Sequence, residues 1–507
     1  MAARVVMVQG TASSVGKSLL CAGLCRLLRQ DGYRVAPFKA QNMALNSFAT
    51  PDGREIGRAQ AVQAAAAGIA PHVDMNPILL KPEAEARSQV VVLGKPAGTL
   101  SARDYFGGAR TLDLWPVVTA ALDRLRSEYD VVVIEGAGSP AEVNLRDRDL
   151  ANMRVARYAG APVLLVGDID RGGVMAALTG TLALLPDDER ALVKGLVVNR
   201  FRGDPSLFHD GVRFLQERTG LPVLGVVPYI PNLRLADEDS VALDGRPRGR
   251  TPAAGRPIDV AVIRLPHIAN FDDFGPLEAE PAAGVRYVDE PDDLGWPDVL
   301  ILPGTKSTMA DLAWLRRVRL AERVVGLAAA GTGVLGICGG YQLLGEWIRD
   351  PLHVESPDGE ARGLGLLPVE TVFAPEKTTR QVRGRVVTDA PPLAGARGAA
   401  IAGYEIHMGH SRPIGGAAAP AFCLDDGRAD GCIGAGGTVI GTYLHGLFEN
   451  APVRRSLLAW AAARKGLSLE TLPVAQVDAE AEYDRLAAVL RESLDVRLLY
   501  RLIGLAQ

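Results

Sequence analysis

The feature that most constrains the fold is a series of short Val-, Leu- and Ile-rich runs, each followed by a helical pattern. In the first half these runs are RVVMV (4–8), YRVAPF (33–38), DVVVIEG (130–136), APVLLVGD (161–168), KGLVVNR (194–200) and LPVLGVVP (221–228). Such runs are typical of strands that are buried on both faces. Because these strands need helices on both sides, the first half predicts an α/β domain with a parallel sheet.

A second set of strands begins after a stretch rich in Pro, Gly and Arg. It comprises IDVAVIRL (258–265), VRYVD (285–289), PDVLILPG (297–304), GTGVLGIC (331–338) and GTVIGTYLH (437–445). The pattern predicts a second α/β domain, with extra strands and loops around 350–430. We therefore divide the chain into a first domain (1–242), a linker (243–257), a second domain (258–450) and a C-terminal helical segment (451–507). We expect the amphipathic pattern of residues 482–505 to form a helix docked on the second domain.

Composition limits the classes of partner. With 507 residues the chain is too long for one core, and its net charge of −4 gives no reason to expect a nucleic-acid partner. Five cysteines without a C-x-x-C pair indicate reduced thiols. We find no signal-like or membrane-spanning apolar run and expect a cytoplasmic protein that acts on small molecules. The oligomeric state stays undetermined.

A glycine-containing loop, VQGTASSVGKSLL, follows the first predicted strand and precedes a helix. In such loops backbone N–H groups and a lysine bind phosphate oxygens, and a Ser or Thr hydroxyl binds Mg²⁺. The nucleotide-binding residues would be Thr11, Gly16, Lys17 and Ser18. The loop is a variant, because Thr11 stands where the first glycine of G-x-x-x-x-G-K-[ST] belongs. The alternative is an ordinary strand-to-helix turn.

A carboxylate that ends a neighbouring strand is the expected second partner of a Mg²⁺-nucleotide. Glu135, in IEGAGSPAEVNL, is this candidate, and together with Ser18 it would form the metal site. The alternative is a carboxylate that caps a loop or a helix. Glu55 and Asp168 are weaker metal candidates.

Further polar residues cluster after predicted strands, where parallel sheets bind ligands. We interpret six of them as contacts of a large polar acceptor substrate: Lys39, Gln41, Asn42, Asn46, Asp170 and Arg171. A structural role is the alternative for each residue.

Cys338 ends a predicted strand in VLGICGGYQLLG, directly before glycines and a helical pattern. A thiol at such a turn is suited to nucleophilic attack, and His445 at the end of a later strand could serve as its base. The N–H groups of Gly339 and of Gly304, in LILPGTKST, are candidate oxyanion donors. The alternative is that the cysteine fills a core and the histidine is structural.

These motifs are recognisable together. GICGGYQLLG, TYLHG and LPGTKST resemble the class I glutamine amidotransferase domain, whereas QGTASSVGKS and EGAGSPAEVNL resemble a synthetase domain related to dethiobiotin synthetase. Their order, with KAQNMALNSF, GDIDRGGV, NRFRGD and GYEIHMGH, is similar to the cobyric acid synthase family of cobalamin biosynthesis.

The resemblance implies that Cys338 releases ammonia from glutamine while the first domain uses ATP and Mg²⁺ to activate carboxylates as acyl phosphates. The implied acceptor is adenosylcobyrinic acid a,c-diamide, amidated at its b, d, e and g carboxylates. One position departs from many class I amidotransferases, which carry a Glu two residues after the histidine where this chain has Leu447. We therefore expect a Cys338–His445 dyad; the alternative is that Glu449 substitutes for the missing third residue.

Two other functions fit parts of the sequence. One is amidation of a different polyacid, such as the reaction of cobyrinic acid a,c-diamide synthase. The other is a ParA/MinD-type switch ATPase that binds membrane or DNA. Residues 11–15 lack the early lysine of that class, and the second domain would have no explanation.

Overall fold

The computed structural model describes residues 2–84, 87–101, 113–236, 255–415, 418–434, 436–469 and 478–505, and positions 243, 246, 247, 249 and 475. It divides into two compact units. Unit 1 comprises Met1–Met43, Ile56–Ala236 and Asp478–Gln507, and unit 2 comprises Ala44–Glu55 and Asp237–Val477. Most of the predicted linker, 243–257, lies outside the described residues.

The secondary structure alternates between strands and helices in both units. The strands are β1 (Arg4–Gly10), β2 (Val35–Phe38), β3 (Gln41–Met43), β4 (Ser47–Ala49), β5 (Glu55–Gly57), β6 (Ile78–Ala84), β7 (Arg87–Val92), β8 (Lys95–Ser101), β9 (Val131–Glu135), β10 (Val163–Asp168), β11 (Val193–Phe201), β12 (Val223–Pro228), β13 (Ile258–Ile263), β14 (Ala283–Val288), β15 (Val299–Leu302), β16 (Gly333–Ile337), β17 (Trp347–Arg349), β18 (Glu360–Arg362), β19 (Val369–Val386), β20 (Ala400–Pro413), β21 (Phe422–Leu424), β22 (Ala429–Asp430), β23 (Cys432–Ile433) and β24 (Val439–Thr442). The helices are α1 (Lys17–Gln30), α2 (Arg58–Ala67), α3 (Trp115–Glu128), α4 (Met153–Ala159), α5 (Val174–Leu184), α6 (Asp187–Arg190), α7 (His209–Thr219), α8 (Gly275–Ala279), α9 (Pro291–Leu294), α10 (Thr308–Arg317), α11 (Leu320–Ala329), α12 (Gly339–Leu344), α13 (Ala451–Arg464), α14 (Ala479–Ser493) and α15 (Val496–Ile503).

Unit 1 is built on a six-stranded sheet in the order β12-β11-β10-β1-β9-β2. Every neighbouring pair in this sheet is parallel. Side chains on both faces of the central strands are buried, as in VVVIE of β9. The predicted parallel α/β fold is confirmed, and it brings the carboxyl ends of β1 and β9 side by side. A second sheet, β3-β6-β7-β8, completes the unit.

Helix α1 is buried along most of its length, and its cysteines Cys21 and Cys25 are completely buried. Burial raises the pKa of both thiols, so they act as packing residues, in agreement with the absence of any catalytic motif around them.

The C-terminal helices α14 and α15 pack on unit 1, so the expected docking on the second domain is wrong. Arg26 of α1 donates to Glu480 and Asp484 of α14, each at 2.7 Å. Leu486 and Leu490 of α14 belong to the same apolar cluster as the buried face of α1. The amphipathic pattern predicted the helix, but its partner depends on contacts between residues more than 450 positions apart.

Unit 2 is built on a second six-stranded sheet, in the order β14-β13-β15-β16-β24-β23. All its pairs are parallel except β23 with β24. A second sheet, β18-β17-β19-β21-β22, carries the long antiparallel pair β19 and β20 and accounts for the extra strands expected around 350–430. The predicted α/β architecture of this half is confirmed.

Residues 44–55 belong to unit 2 although they lie in the first quarter of the chain. Phe48 packs against Tyr404 of β20 with ring centroids 4.9 Å apart, and Gln381 of β19 donates to the carbonyl of Ala49 at 3.0 Å. The carboxylate of Glu55 is buried and accepts from Ser47 at 2.7 Å and from Lys377 at 2.5 Å. This short segment is therefore an integral part of unit 2.

Within the described part of the chain, none of the helices has the length and apolar character needed to cross a membrane.

Candidate active sites

The glycine-containing loop of unit 1 connects β1 to α1 and has the shape of a phosphate loop. Ser14 and Gly16 have left-handed backbone, with φ of 58° and 97°. At Gly16 a Cβ would lie 2.2 Å from the Asn199 amide nitrogen, so only glycine fits. Lys17 donates to the carbonyls of Ala12 at 2.9 Å and Gly138 at 3.0 Å, across the mouth of the loop. The predicted residues Thr11, Gly16, Lys17 and Ser18 therefore share one compact turn at a helix N-terminus.

Glu135 ends β9 beside this loop and is completely buried. One carboxylate oxygen accepts from the Ser18 hydroxyl at 2.8 Å and from the Lys39 ammonium at 2.8 Å. The other accepts from Gln63 of α2 at 2.5 Å, and Gln60 lies at 3.4 Å. Removing one partner of a buried ion pair such as Lys39–Glu135 costs about 3–5 kcal/mol of stability. The arrangement joins the two predicted metal residues in one network.

Two glutamines of this network, Gln60 and Gln63, were not predicted from sequence. They lie three residues apart on α2, so they share one face of that helix and both point at Glu135. The segment RAQAVQAAAA has no motif character, and the spacing i, i+3 of two amides was the only available signal.

The predicted acceptor-binding residues separate into several places. Asn42 donates to Gln60 at 3.0 Å and so adjoins the Glu135 network, together with Lys39. Gln41 lines a cleft of about 560 Å³ whose wall also includes Ser13 of the phosphate loop and Gly138.

The remaining candidates lie elsewhere. Asp170 pairs with Arg202 at 2.6 Å, and Arg171 is largely exposed. Asn46 is buried in unit 2 with residues 44–55. Of the weaker metal candidates, Glu55 pairs with Lys377, and Asp168 accepts from Arg200 at 2.9 Å. Both carboxylates thus have cationic partners within their own units.

In unit 2, Cys338 lies at the sharp turn between β16 and α12. Its backbone is left-handed, with φ 52° and ψ −109°, which is a strained conformation for a residue with a side chain. The next turn of chain packs tightly, because a Cβ at Gly340 would lie 2.0 Å from the Leu302 carbonyl oxygen. The thiol lies 3.5 Å from the Ile406 carbonyl oxygen of β20. Such strain is typical of a nucleophile held in a fixed position.

The two predicted oxyanion residues lie next to this cysteine. A Cβ built on Gly304 would be 3.8 Å from the Cys338 Cβ and 3.0 Å from Cε1 of His445. A Cβ on Gly339 would be 2.9 Å from the backbone nitrogen of Thr305. The structure therefore brings together the thiol, both glycine turns and the imidazole, which lies 107 positions after the cysteine in sequence.

His445 follows β24 and is almost completely buried. Its Nδ1 lies 2.7 Å from a carboxylate oxygen of Asp273, and its ring stacks on Tyr404 with centroids 5.2 Å apart. The Cys338 side chain lies near the same imidazole, because a Cβ built on Gly304 would contact both side chains. Burial lowers the pKa of His445, but the negative charges of Asp273 and of the Cys338 thiolate outweigh it and raise that pKa to about 10.

Asp273 was missed by sequence reasoning. It lies in a short 3-10 turn, Phe271–Phe274, 172 positions before the histidine. Leu447, at the position where many class I amidotransferases carry Glu, is buried in the apolar core of unit 2, whereas Glu449 is exposed. The segment NFDDFG carries no recognisable signature, so only the fold identifies this carboxylate.

Two family models match the chain. Residues 6–242 match the CobQ/CobB/MinD/ParA nucleotide binding domain, and residues 259–453 match the CobB/CobQ-like glutamine amidotransferase domain. Together with the fold and the two sites, these matches define an amidotransferase enzyme with a nucleotide-binding domain and a glutamine amidotransferase domain.

Full-length relatives narrow this class. The chain is 57% identical to the cobyric acid synthase of Sorangium cellulosum (strain So ce56) over 521 residues, covering 100% of this chain and 99% of that protein. It is 51% identical to the cobyric acid synthase of Dehalococcoides mccartyi (strain CBDB1), with 99% of each chain covered. The chain therefore belongs to the cobyric acid synthase family, and the expected family is confirmed.

Among solved structures, PurLQS from Thermotoga maritima covers 40% of this chain and 97% of its own, with 19% identity and a TM-score of 0.31. This similarity is too weak to support a conclusion about function.

Proposed function

We propose that this protein uses ATP and glutamine to amidate the b, d, e and g carboxylates of adenosylcobyrinic acid a,c-diamide, giving adenosylcobyric acid. The observation that carries the proposal is the presence in one chain of a phosphate-type loop beside Glu135 and of a strained Cys338 beside His445. Relatives of 49–57% identity over nearly the whole chain are named cobyric acid synthase, which supports this acceptor.

The first half-reaction releases ammonia in unit 2. The Cys338 thiolate attacks the side-chain amide carbon of glutamine, and the negative charge that develops on oxygen is stabilised by the N–H groups of Gly304 and Gly339. The imidazolium of His445 gives its proton to the leaving nitrogen, so that ammonia departs and a glutamyl thioester remains. His445 then removes a proton from water as water attacks the thioester, which releases glutamate and restores the thiol.

The second half-reaction activates the acceptor in unit 1. A carboxylate does not react with ammonia because its oxygen is a poor leaving group. Its oxygen therefore attacks the γ-phosphorus of ATP, ADP leaves, and an acyl phosphate forms. Ammonia then attacks the carbonyl carbon and inorganic phosphate departs with the former carboxylate oxygen. Lys17 and the loop N–H groups would hold the phosphates while this transfer occurs.

The residues beside the loop fit a magnesium ion. A hydroxyl oxygen of Ser18 and a carboxylate oxygen of Glu135 converge within 2.8 Å, and hard oxygen donors are those that Mg²⁺ prefers. No group of three or more His, Cys, Asp or Glu among the described residues could hold a metal by itself, so phosphate oxygens and water would complete the coordination. The ion would supply positive charge to the β and γ phosphates.

Acceptor assays test the proposal. The purified protein is supplied with ATP, Mg²⁺, glutamine and either adenosylcobyrinic acid a,c-diamide or cobyrinic acid, and the amides are counted by mass spectrometry. We expect four amides on the a,c-diamide and little reaction with cobyrinic acid. Amidation of cobyrinic acid at only two positions would instead favour the a,c-diamide synthase reaction. ATP hydrolysis without amidation of either acceptor would favour a switch ATPase.

Labelling tests the acyl phosphate. With ¹⁸O in the acceptor carboxylates, one ¹⁸O should appear in inorganic phosphate for each amide formed. Amide formation without label in phosphate would contradict this step. The cytoplasmic location expected from the sequence stays a prediction.

A further inference from the structure

The carboxylate of Asp273 contacts the Nδ1 edge of the His445 imidazole. One of its oxygens lies 2.7 Å from Nδ1 of His445, and the other accepts the backbone N–H of Gly446 at 2.7 Å. Both side chains are at least 97% buried. A carboxylate that is hydrogen-bonded at both oxygens has a fixed orientation. The fold therefore determines its contact with Nδ1.

We propose that Asp273 is the positioning residue of the Cys338–His445 pair. The proposal rests on the proposed function, because it assumes that these two residues hydrolyse glutamine. Asp273 would take the role that a Glu two residues after the histidine has in many class I amidotransferases. In this chain the acidic group comes from a turn that follows β13 rather than from the segment after the histidine.

The contact fixes the tautomer of the imidazole. A carboxylate accepts a hydrogen bond, so Nδ1 of His445 must carry the proton and donate it to Asp273. The other ring nitrogen, Nε2, is then left to exchange a proton with the Cys338 thiol. Asp273 also stabilises the imidazolium that forms when the thiol ionises, as a buried carboxylate does in other nucleophile–histidine pairs.

The two rival positions for a third residue are unsuited to the role. Leu447 has no polar group and lies in the apolar core, where a carboxylate would be desolvated. Glu449 is exposed, and Nδ1 of His445 is already bonded to Asp273. Within the described part of the chain, the imidazole contacts Asp273 and stacks on the phenol ring of Tyr404, and the negative charges that raise its pKa are those of Asp273 and the Cys338 thiolate.

The turn that carries Asp273 is held by a second set of contacts. Asn270, which begins this turn in left-handed backbone, accepts the N–H of Ser47 at 3.0 Å and donates to the Tyr404 hydroxyl at 3.3 Å. Tyr404 in turn exchanges two backbone hydrogen bonds with His445, of 2.9 Å and 3.2 Å. The positions of the carboxylate and of the imidazole are therefore set by one connected group of residues.

The test compares Asp273→Asn with Glu449→Gln as the matched control. For Asp273→Asn we expect glutamine hydrolysis to fall about 10³-fold or more, because the amide can present its NH₂ to Nδ1 and stabilise the wrong tautomer. Amidation with free ammonia should stay within about twofold of wild type, which shows that the variant is folded. Glu449→Gln should keep both activities.

A second readout separates positioning from a structural role. Alkylation of Cys338 by iodoacetamide is followed against pH by mass spectrometry of the peptide that contains this cysteine. Loss of the carboxylate removes a negative charge that raises the pKa of His445, so less imidazolium lies beside the thiol and in Asp273→Asn the onset of alkylation should move to higher pH. In Glu449→Gln it should not move.

The outcomes are distinguishable. Glutamine hydrolysis within about threefold of wild type in Asp273→Asn would overturn the proposal, as would an unchanged alkylation profile. Joint loss of the ammonia-dependent activity would show a structural role and would also overturn it. Failure of the proposed function itself would appear instead in the Cys338→Ala variant, as unimpaired use of glutamine.

Discussion

The two sites of this molecule are built in opposite ways. The phosphate loop of unit 1 comes from eight consecutive residues, 11–18, and needs Glu135 and the side chains around it to complete it. The site in unit 2 has no such contiguous core, because Asp273, Gly304, Cys338 and His445 come from four separate loops. A local motif can encode a surface that binds phosphate, whereas a proton-transfer site is assembled only when the whole sheet forms.

The two sites also differ in the partners of their buried carboxylates. In unit 1 the carboxylate of Glu135 is neutralised by Lys39 and by hydroxyl and amide donors, an arrangement suited to binding. In unit 2 the carboxylate of Asp273 is directed at a histidine that lies beside the Cys338 thiol, an arrangement suited to proton transfer. We therefore expect a substitution that inactivates one site to leave the reaction at the other site unchanged.

Among the variants that should affect one site and leave the other unchanged, we expect the largest effect for Lys17→Ala. Loss of the cation that we propose to hold the phosphates should lower amidation about 10³-fold with either glutamine or ammonia as nitrogen source, while alkylation of Cys338 stays unchanged. Initial rates of ADP and amide formation provide the measurement. Lys194→Ala, which removes an exposed lysine of β11, is the matched control and should behave as wild type. Equal losses of amidation activity in Lys17→Ala and Lys194→Ala would contradict a specific role for Lys17 in unit 1.

The pH dependence of glutamine hydrolysis gives the next test. The pKa of His445 is raised to about 10, so its imidazolium, the proposed proton donor for the leaving ammonia, persists through neutral pH and is lost as the pH rises through about 10. The rate should fall about tenfold per pH unit above that point. The free energy of unfolding should depend on pH in the same direction. Because the pKa of His445 is higher in the folded than in the unfolded protein, its protonation stabilises the fold fully below the unfolded pKa of about 6.5, and this stabilisation is lost as the pH rises through about 10.

Steady-state rates of glutamate release, measured with buffers matched for ionic strength, follow this dependence. A rate that continued to rise through pH 10 would contradict the ion-pair description of unit 2.

A smaller effect is expected for Asn270→Ala. The substitution removes the contacts with Ser47 and Tyr404, so the turn that carries Asp273 should shift and glutamine hydrolysis should fall about tenfold. Ammonia-dependent amidation should stay near the wild-type rate. Asn232→Ala is the control, because Asn232 is an exposed residue with similar left-handed backbone, φ 54° against 52°. If both variants lost the same activity, backbone strain rather than positioning would explain the result.

This contrast also explains what the sequence could and could not predict. The parallel sheets, the phosphate loop, Glu135 and the Cys338–His445 pair followed from apolar runs and from motifs at strand ends. Asp273 did not, because a lone aspartate in a polar turn looks the same whether or not a histidine lies opposite. The assignment of residues 44–55 to unit 2 and of α14 to unit 1 depends on long-range pairs such as Glu55–Lys377 and Arg26–Asp484. No local pattern encodes such pairs.

The nitrogen source used by Cys338→Ala tests the central claim most directly. Amide formation is measured with glutamine and with free ammonia in this variant, in wild type and in Cys423→Ala, a half-buried thiol with no role in the account. We predict that Cys338→Ala loses glutamine-dependent amidation by about 10³-fold or more and keeps the ammonia-dependent rate, because the proposed carboxylate activation in unit 1 does not need this thiol. Wild-type rates with glutamine in Cys338→Ala would show that Cys338 is not the nucleophile that releases ammonia.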